Sequence, residues 1–157
     1  MKLILAVTFG LPLLAVLCLA LAVRFAPLDP ADWHVSLAEP LRTGKPNDVR
    51  VRPEGGEIAA PVFPGLTNWE LAERLQAVAL AEPRTTLIAG SPAEGRMTFV
   101  QRSALWGFPD VITVETFATP QGASLRLWSR ARFGYSDMGV NRARAERWLA
   151  ALSPSAS

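Results

Sequence analysis

The densest run of side chains able to do chemistry is Ser129-Arg130-Ala131-Arg132-Phe133-Gly134-Tyr135-Ser136-Asp137-Met138-Gly139-Val140-Asn141-Arg142-Ala143-Arg144. It reads as a strand end, a loop and a helix start. Guanidinium forks beside the free amides of a helix N-terminus suit a carboxylate, phosphate or sulfate. Ser129, Arg130, Arg132, Asp137, Asn141, Arg142 and Arg144 are therefore candidate ligand-binding residues, and Asp110 joins them because its strand is expected to pair with the one carrying Arg130. The competing reading makes Asp137 or Asn141 a helix cap, Arg142, Arg144 and Arg147 a solvated helix face, and Asp110 the partner of Arg130 or Arg132 in a salt bridge. Asp110 as a general base would need a raised pKa, which neighbouring guanidiniums oppose.

Composition narrows the chemistry further. The chain has 157 residues with a single Cys, Cys18, and a single His, His34. Both fall in or just after an apolar N-terminal run, which argues against disulfides, Cys-rich zinc sites and Ser-His or Cys-His catalysis in the remainder. No metal or cofactor is expected. Charge is uneven: residues 24–119 carry a net −3, whereas residues 120–157 carry a net +4 from six arginines against Asp137 and Glu146. That excess is too local for a nucleic-acid domain. An anionic small molecule, a lipid headgroup or an envelope protein is the expected partner.

Residues 3–23 contain no charge and lie between Lys2 and Arg24, which predicts a single-pass transmembrane anchor or uncleaved signal over residues 1–24. A cleaved signal peptide ending near Ala20-Leu21-Ala22 is the alternative. The expected location is a bacterial inner membrane with the remaining domain in the periplasm. Prolines 27, 30 and 40 then mark residues 25–45 as a linker. Residues 46–153 form the expected globular domain, followed by a tail over 154–157.

Within that domain, Thr67 and Glu70 have capping-box spacing, and Leu71, Leu75, Val78 and Ala79 form the apolar stripe of a helix stopped by Pro83. Four segments of β character follow, at 85–89, 97–101, 111–117 and 123–133. Thr119-Pro120-Gln121-Gly122 predicts a tight turn that sets Ala118 opposite Ala123. A last helix carries Ala145, Trp148, Leu149 and Leu152 on one face. The expected fold is α+β: a transmembrane helix, then a two-layer domain of about four antiparallel strands and two helices in the order αββββα.

Pro46-Asn47, Arg102-Ser103 through Gly107-Phe108-Pro109-Asp110, and above all Ser-Arg-x-Arg followed by Gly-Tyr-Ser-Asp-x-Gly-x-Asn-Arg-x-Arg resemble the bacterial and plastid family called domain of unknown function 1499. The resemblance spans about Lys45 to Leu152. One departure stands out, since the family often reads Phe-x-Asp-Asp where this chain has Phe108-Pro109-Asp110-Val111. The resemblance implies a place for a site and no reaction. The functional expectation is thus a membrane-anchored, non-catalytic binding or accessory domain. A structural envelope component, or a hydrolase using Asp, Ser and Arg, remains as an alternative.

Overall fold

The computed structural model describes residues 2–39 and 44–153, with side chains from Gly10 onward. The elements are α1 (Lys2–Arg24), α2 (Pro30–Trp33), β1 (Asp48–Arg52), β2 (Ile58–Ala59), β3 (Val62–Pro64), α3 (Asn68–Ala81), β4 (Thr85–Ser91), β5 (Arg96–Arg102), β6 (Pro109–Thr119), β7 (Gly122–Ala131) and α4 (Val140–Leu152). The sheet has seven strands in the order β2-β1-β7-β6-β5-β4, with β3 also on β7. It is mixed, because β1 and β2 run parallel while the other pairs are antiparallel.

This corrects the expected fold. A four-strand antiparallel sheet with two helices in the order αββββα is replaced, among the described residues, by a seven-strand mixed sheet with four helices. The strands missing from that expectation lie in the proline-rich stretch, where proline argues against a central strand. They form because their prolines avoid the ladder interior: β1 contains none, Pro53 follows it, and Pro64 ends β3 opposite Gly122. Val49 and Val51 of β1 are buried in the core, which ties that strand to the domain.

The N-terminal expectation is also corrected. Among the described residues no helix is long and apolar enough to cross a membrane, so the expected transmembrane helix is overturned.

Hairpin β6–β7 has the register set by its turn, with Ala118 opposite Ala123, Val114 opposite Leu127 and Val111 opposite Arg130. At the turn Gly122 has φ +143, and a Cβ there would lie 2.3 Å from the Phe63 carbonyl oxygen, so only glycine lets β3 close onto β7. Thr67 and Glu70 form the capping box of α3. Helices α3 and α4 cover one sheet face, where Phe99 meets Trp148 edge-on at 5.8 Å between ring centroids. Met97, Ile112, Val114, Leu125 and Leu127 complete that layer.

The opposite face is crossed by the segment expected to be a linker. Trp33 lends its carbonyl to Thr113 Oγ1 at 2.9 Å and to Arg130 Nη2 at 3.0 Å. His34 Nδ1 meets Thr98 Oγ1 at 2.9 Å, and Leu37 is buried. Residues 26–37 therefore act as a strap. The first four residues beyond Glu39 and the tail at 154–157 lie outside the described residues.

Candidate functional site

Side chains alternate across a strand, and that rule divides the expected site residues between two faces. Ser129 of β7 and Asp110 of β6 point toward the helices, whereas Arg130 points away. Since Val111 pairs with Arg130, Asp110 is one position out of phase with it. The expected proximity of Asp110 to Arg130 and Arg132 is thus corrected: its salt-bridge partner is Arg144 of α4, at 2.7 Å.

On the helix side Arg144, 2% exposed, donates from all three of its guanidinium nitrogens. Its Nε donates to Gln101 Oε1 (2.6 Å), Nη1 to Ser129 Oγ (2.9 Å) and Asn141 Oδ1 (2.5 Å), and Nη2 to Asp110 Oδ2 (2.7 Å). Asn141 is buried and passes the network on. Its Nδ2 donates to the Asn47 carbonyl (3.0 Å) and to Asp137 Oδ2 (2.7 Å), the same oxygen that accepts the Asn141 amide (2.8 Å). Asp137 Oδ1 accepts from the amide of Gly139, whose φ of +82 turns the chain into α4. Asn47 Nδ2 closes the ring on the Gly134 carbonyl (2.7 Å).

Every Arg144 donor nitrogen is used inside the protein, as buried polar groups must be. Asp110, Ser129, Asp137, Asn141 and Arg144 therefore fasten α4 and the 132–139 loop to the sheet. The Asp110 carboxyl is pushed above its ordinary range, because burial outweighs the attraction of Arg144. It borders an open cleft of about 410 Å³ with Ser103, Phe108, Phe133 and Asp137. Arg142 takes no part, being exposed and paired with Glu146 at 3.3 Å.

The other face holds a different arrangement. The Arg130 guanidinium lies 3.7 Å from the Trp128 ring centroid and 5.0 Å from that of Trp33, a favourable cation–π geometry on both sides. Arg130 is 6% exposed, and its Nη1 has no hydrogen-bond partner among the described residues. Burial pushes its pKa down to about 10, against a smaller opposing pull from Asp48. Trp128 is itself oriented by its Nε1–H, which donates to Asp48 Oδ2 at 3.1 Å.

Arg130 lines a cavity of about 370 Å³ together with Trp33, Val35, Lys45, Trp128 and Arg132, and with Asp32 and Asp48 at the same opening. Arg132 Nη1 donates to the Ala26 (3.3 Å) and Pro27 (2.5 Å) carbonyls, so it holds the strap at the rim. Arg130 and Arg132 were legible from sequence as cations. Their aromatic walls were not, although Trp128 at i−2 from Arg130 on a strand is a usable signal. Trp33 could not be placed, because nothing local sets the strap's path.

Among the described residues no group of three His, Cys, Asp or Glu is placed to hold a metal ion. Among solved structures, protein MLL2253 from Mesorhizobium loti is similar at 13% identity, over 67% of this chain and 96% of that one, with a TM-score of 0.45. No curated protein matches. A family model described as "Protein of unknown function (DUF1499)" matches residues 41–152, which hold all the described strands, α3, α4 and the helix-side network, and Trp128, Arg130 and Arg132 but not Trp33 of the sheet-face cluster, and the chain belongs to that family.

Proposed function

We propose that this protein is a non-catalytic binding module for a small organic anion, a carboxylate or phosphate ester, held on the strap-covered sheet face. One observation carries the reading: Arg130 keeps a buried guanidinium nitrogen, Nη1, without a hydrogen-bond partner among the described residues. An unmet buried donor costs about 1–3 kcal/mol, more when charged, and an anionic oxygen in the adjoining cavity would remove that cost. Three cations, Lys45, Arg130 and Arg132, face the opening against Asp32 and Asp48, which leaves the mouth positive. The walls of Trp33, Val35 and Trp128 favour an anion with a flat or apolar body.

The helix-side network offers the weaker alternative, since its donors and acceptors are already matched to one another. The test is thermal stabilisation and calorimetry of the full chain against benzoate, an indole carboxylate, phenyl phosphate and inorganic phosphate. At least one organic anion should stabilise it saturably, by about 2.7 kcal/mol at a hundredfold excess over Kd. Arg130→Met should abolish this while the protein stays folded by circular dichroism. Failure of the whole panel, or loss of binding only in variants that unfold, would reject the reading.

A further inference from the structure

We infer that the end of the sheet carrying the 103–108 and 132–139 loops is a docking surface for a lipid bilayer with anionic headgroups. The outermost side chains there are apolar: Leu105 is 78% exposed, Tyr135 75% and Met138 94%, and Trp106, Phe108 and Phe133 are exposed beside them. Monomeric proteins rarely leave so many large apolar groups together in water. The two loops are one surface, because Phe108, Phe133 and Met138 border the same cleft as Val23 of α1. A second groove joins Trp106 and Phe108 to Val16, Leu19 and Val23.

Behind the apolar tips lies a layer of guanidiniums. Arg102 Nη1 donates to the carbonyls of Arg24 (2.8 Å) and Gly107 (3.1 Å), and the Arg24 side chain lies over Gly107. Arg132 stands 5.1 Å from the Phe133 ring centroid. The two carboxylates of the region, Asp110 and Asp137, are turned inward onto Arg144 and Asn141. Apolar and aromatic tips in front of arginines match the order of a bilayer interface, with acyl chains first and then phosphate.

The shape of α1 selects lipid over a protein partner. Leu11, Leu13, Leu14, Val16, Leu17 and Leu19 are all exposed, and at 100° per residue they point around the whole helix. One partner helix or sheet would cover a single stripe of them. A fluid acyl layer has no fixed surface to match, so it takes up whichever of these side chains reach it. Docking onto the bilayer surface needs no crossing helix, and of the residues named for it only Arg132 also lines the anion cavity on the sheet face.

The test uses the full chain in a Cys18→Ser background, with a fluorophore on Leu105→Cys, Tyr135→Cys or, at the far hairpin turn, Gln121→Cys. Each is mixed with phosphatidylcholine–phosphatidylglycerol vesicles whose acyl chains are brominated. Labels at 105 and 135 should lose fluorescence and the label at 121 should not. Adding Leu105→Asp and Met138→Asp should abolish the loss at 135 while the melting temperature holds, since both side chains are exposed. Equal quenching at all three positions, none at 105 and 135, or shielding of the label at 105 by a protein neighbour without lipid would overturn the assignment. Persistent quenching at 135 with both aspartates present would overturn it as well.

Discussion

Asp110 and Arg130 lie one ladder position apart on neighbouring strands yet face opposite sides of the sheet, because Val111 pairs with Arg130 and Ala131 pairs with Asp110. Two polar clusters that are adjacent along the backbone are thereby insulated by the sheet itself. Energetic independence follows. A double-mutant cycle on Asp110→Asn and Arg130→Met, read by denaturant unfolding, should be additive within about 0.5 kcal/mol, whereas Asp110→Asn with Arg144→Met should couple by about 0.5–3 kcal/mol. Strong coupling in the first cycle would contradict the two-face arrangement.

Arg144→Met should be among the most damaging single changes. It leaves Asp110, Ser129 and Asn141 without the donor that links them, and breaking a buried charge pair costs about 3–5 kcal/mol. Arg142→Met, exposed on the same helix, should cost less than about 0.5 kcal/mol. Chemical denaturation of the two variants decides, and similar losses would show that Arg144 is not the anchor.

Affinity for an organic anion should be flat across neutral pH and fall as pH rises through about 10, the value to which burial lowers Arg130. The sign is fixed by the group: a base with a lowered folded pKa is charged below that value and neutral above it, and only the charged form attracts an anion. Calorimetric titrations on either side of that value test this. An affinity that persists well above it would remove Arg130 from the site.

Toward acid the relevant groups are Glu57 and Glu82, whose carboxyls are held below their ordinary range chiefly by hydrogen bonds from Arg50 and Arg147. A lowered folded pKa gives stability that is present above the unfolded value and lost as pH falls through the folded one. Asp110, shifted the other way by burial, gains relative stability in the same direction and partly offsets that loss. Melting temperatures between pH 3 and about 6 should therefore fall less steeply in Glu57→Gln or Glu82→Gln than in the parent. An unchanged slope in both would show that neither pair contributes.

Removing residues 1–37 should destabilise the domain rather than trim a tether, because Leu37 is 3% exposed and Thr98, Thr113 and Arg130 would lose strap partners. The single change Leu37→Ala should itself cost about 2–5 kcal/mol. A truncated chain that melts like the parent would show that the strap is dispensable.

How much of this was written in the sequence depends on range. The capping box at Thr67 and Glu70, the turn at Thr119–Gly122 and the register it sets are local, and local chemistry determines them. Strands β1 to β3 were hidden because proline density says where a donor is missing and not which side of a strand it faces. Their pairing with β7 is a long-range event. For the site, residue types were legible and facing was not. Ser129, Asn141 and Arg144 resemble ligand groups in sequence because an internally bonded network uses the same side chains as an open one, and burial alone separates them.

The strap is gripped by its main chain: Arg132 holds the carbonyls of Ala26 and Pro27, and Thr113 and Arg130 hold that of Trp33. A carbonyl is the same whatever side chain stands beside it. The path of residues 26–33 can therefore persist while their identities drift, Trp33 excepted because its ring also walls the cavity beside Arg130, and a strap kept this way is invisible to any comparison that counts matching letters. Relatives with unrelated N-terminal segments should still lay them across the same arginines.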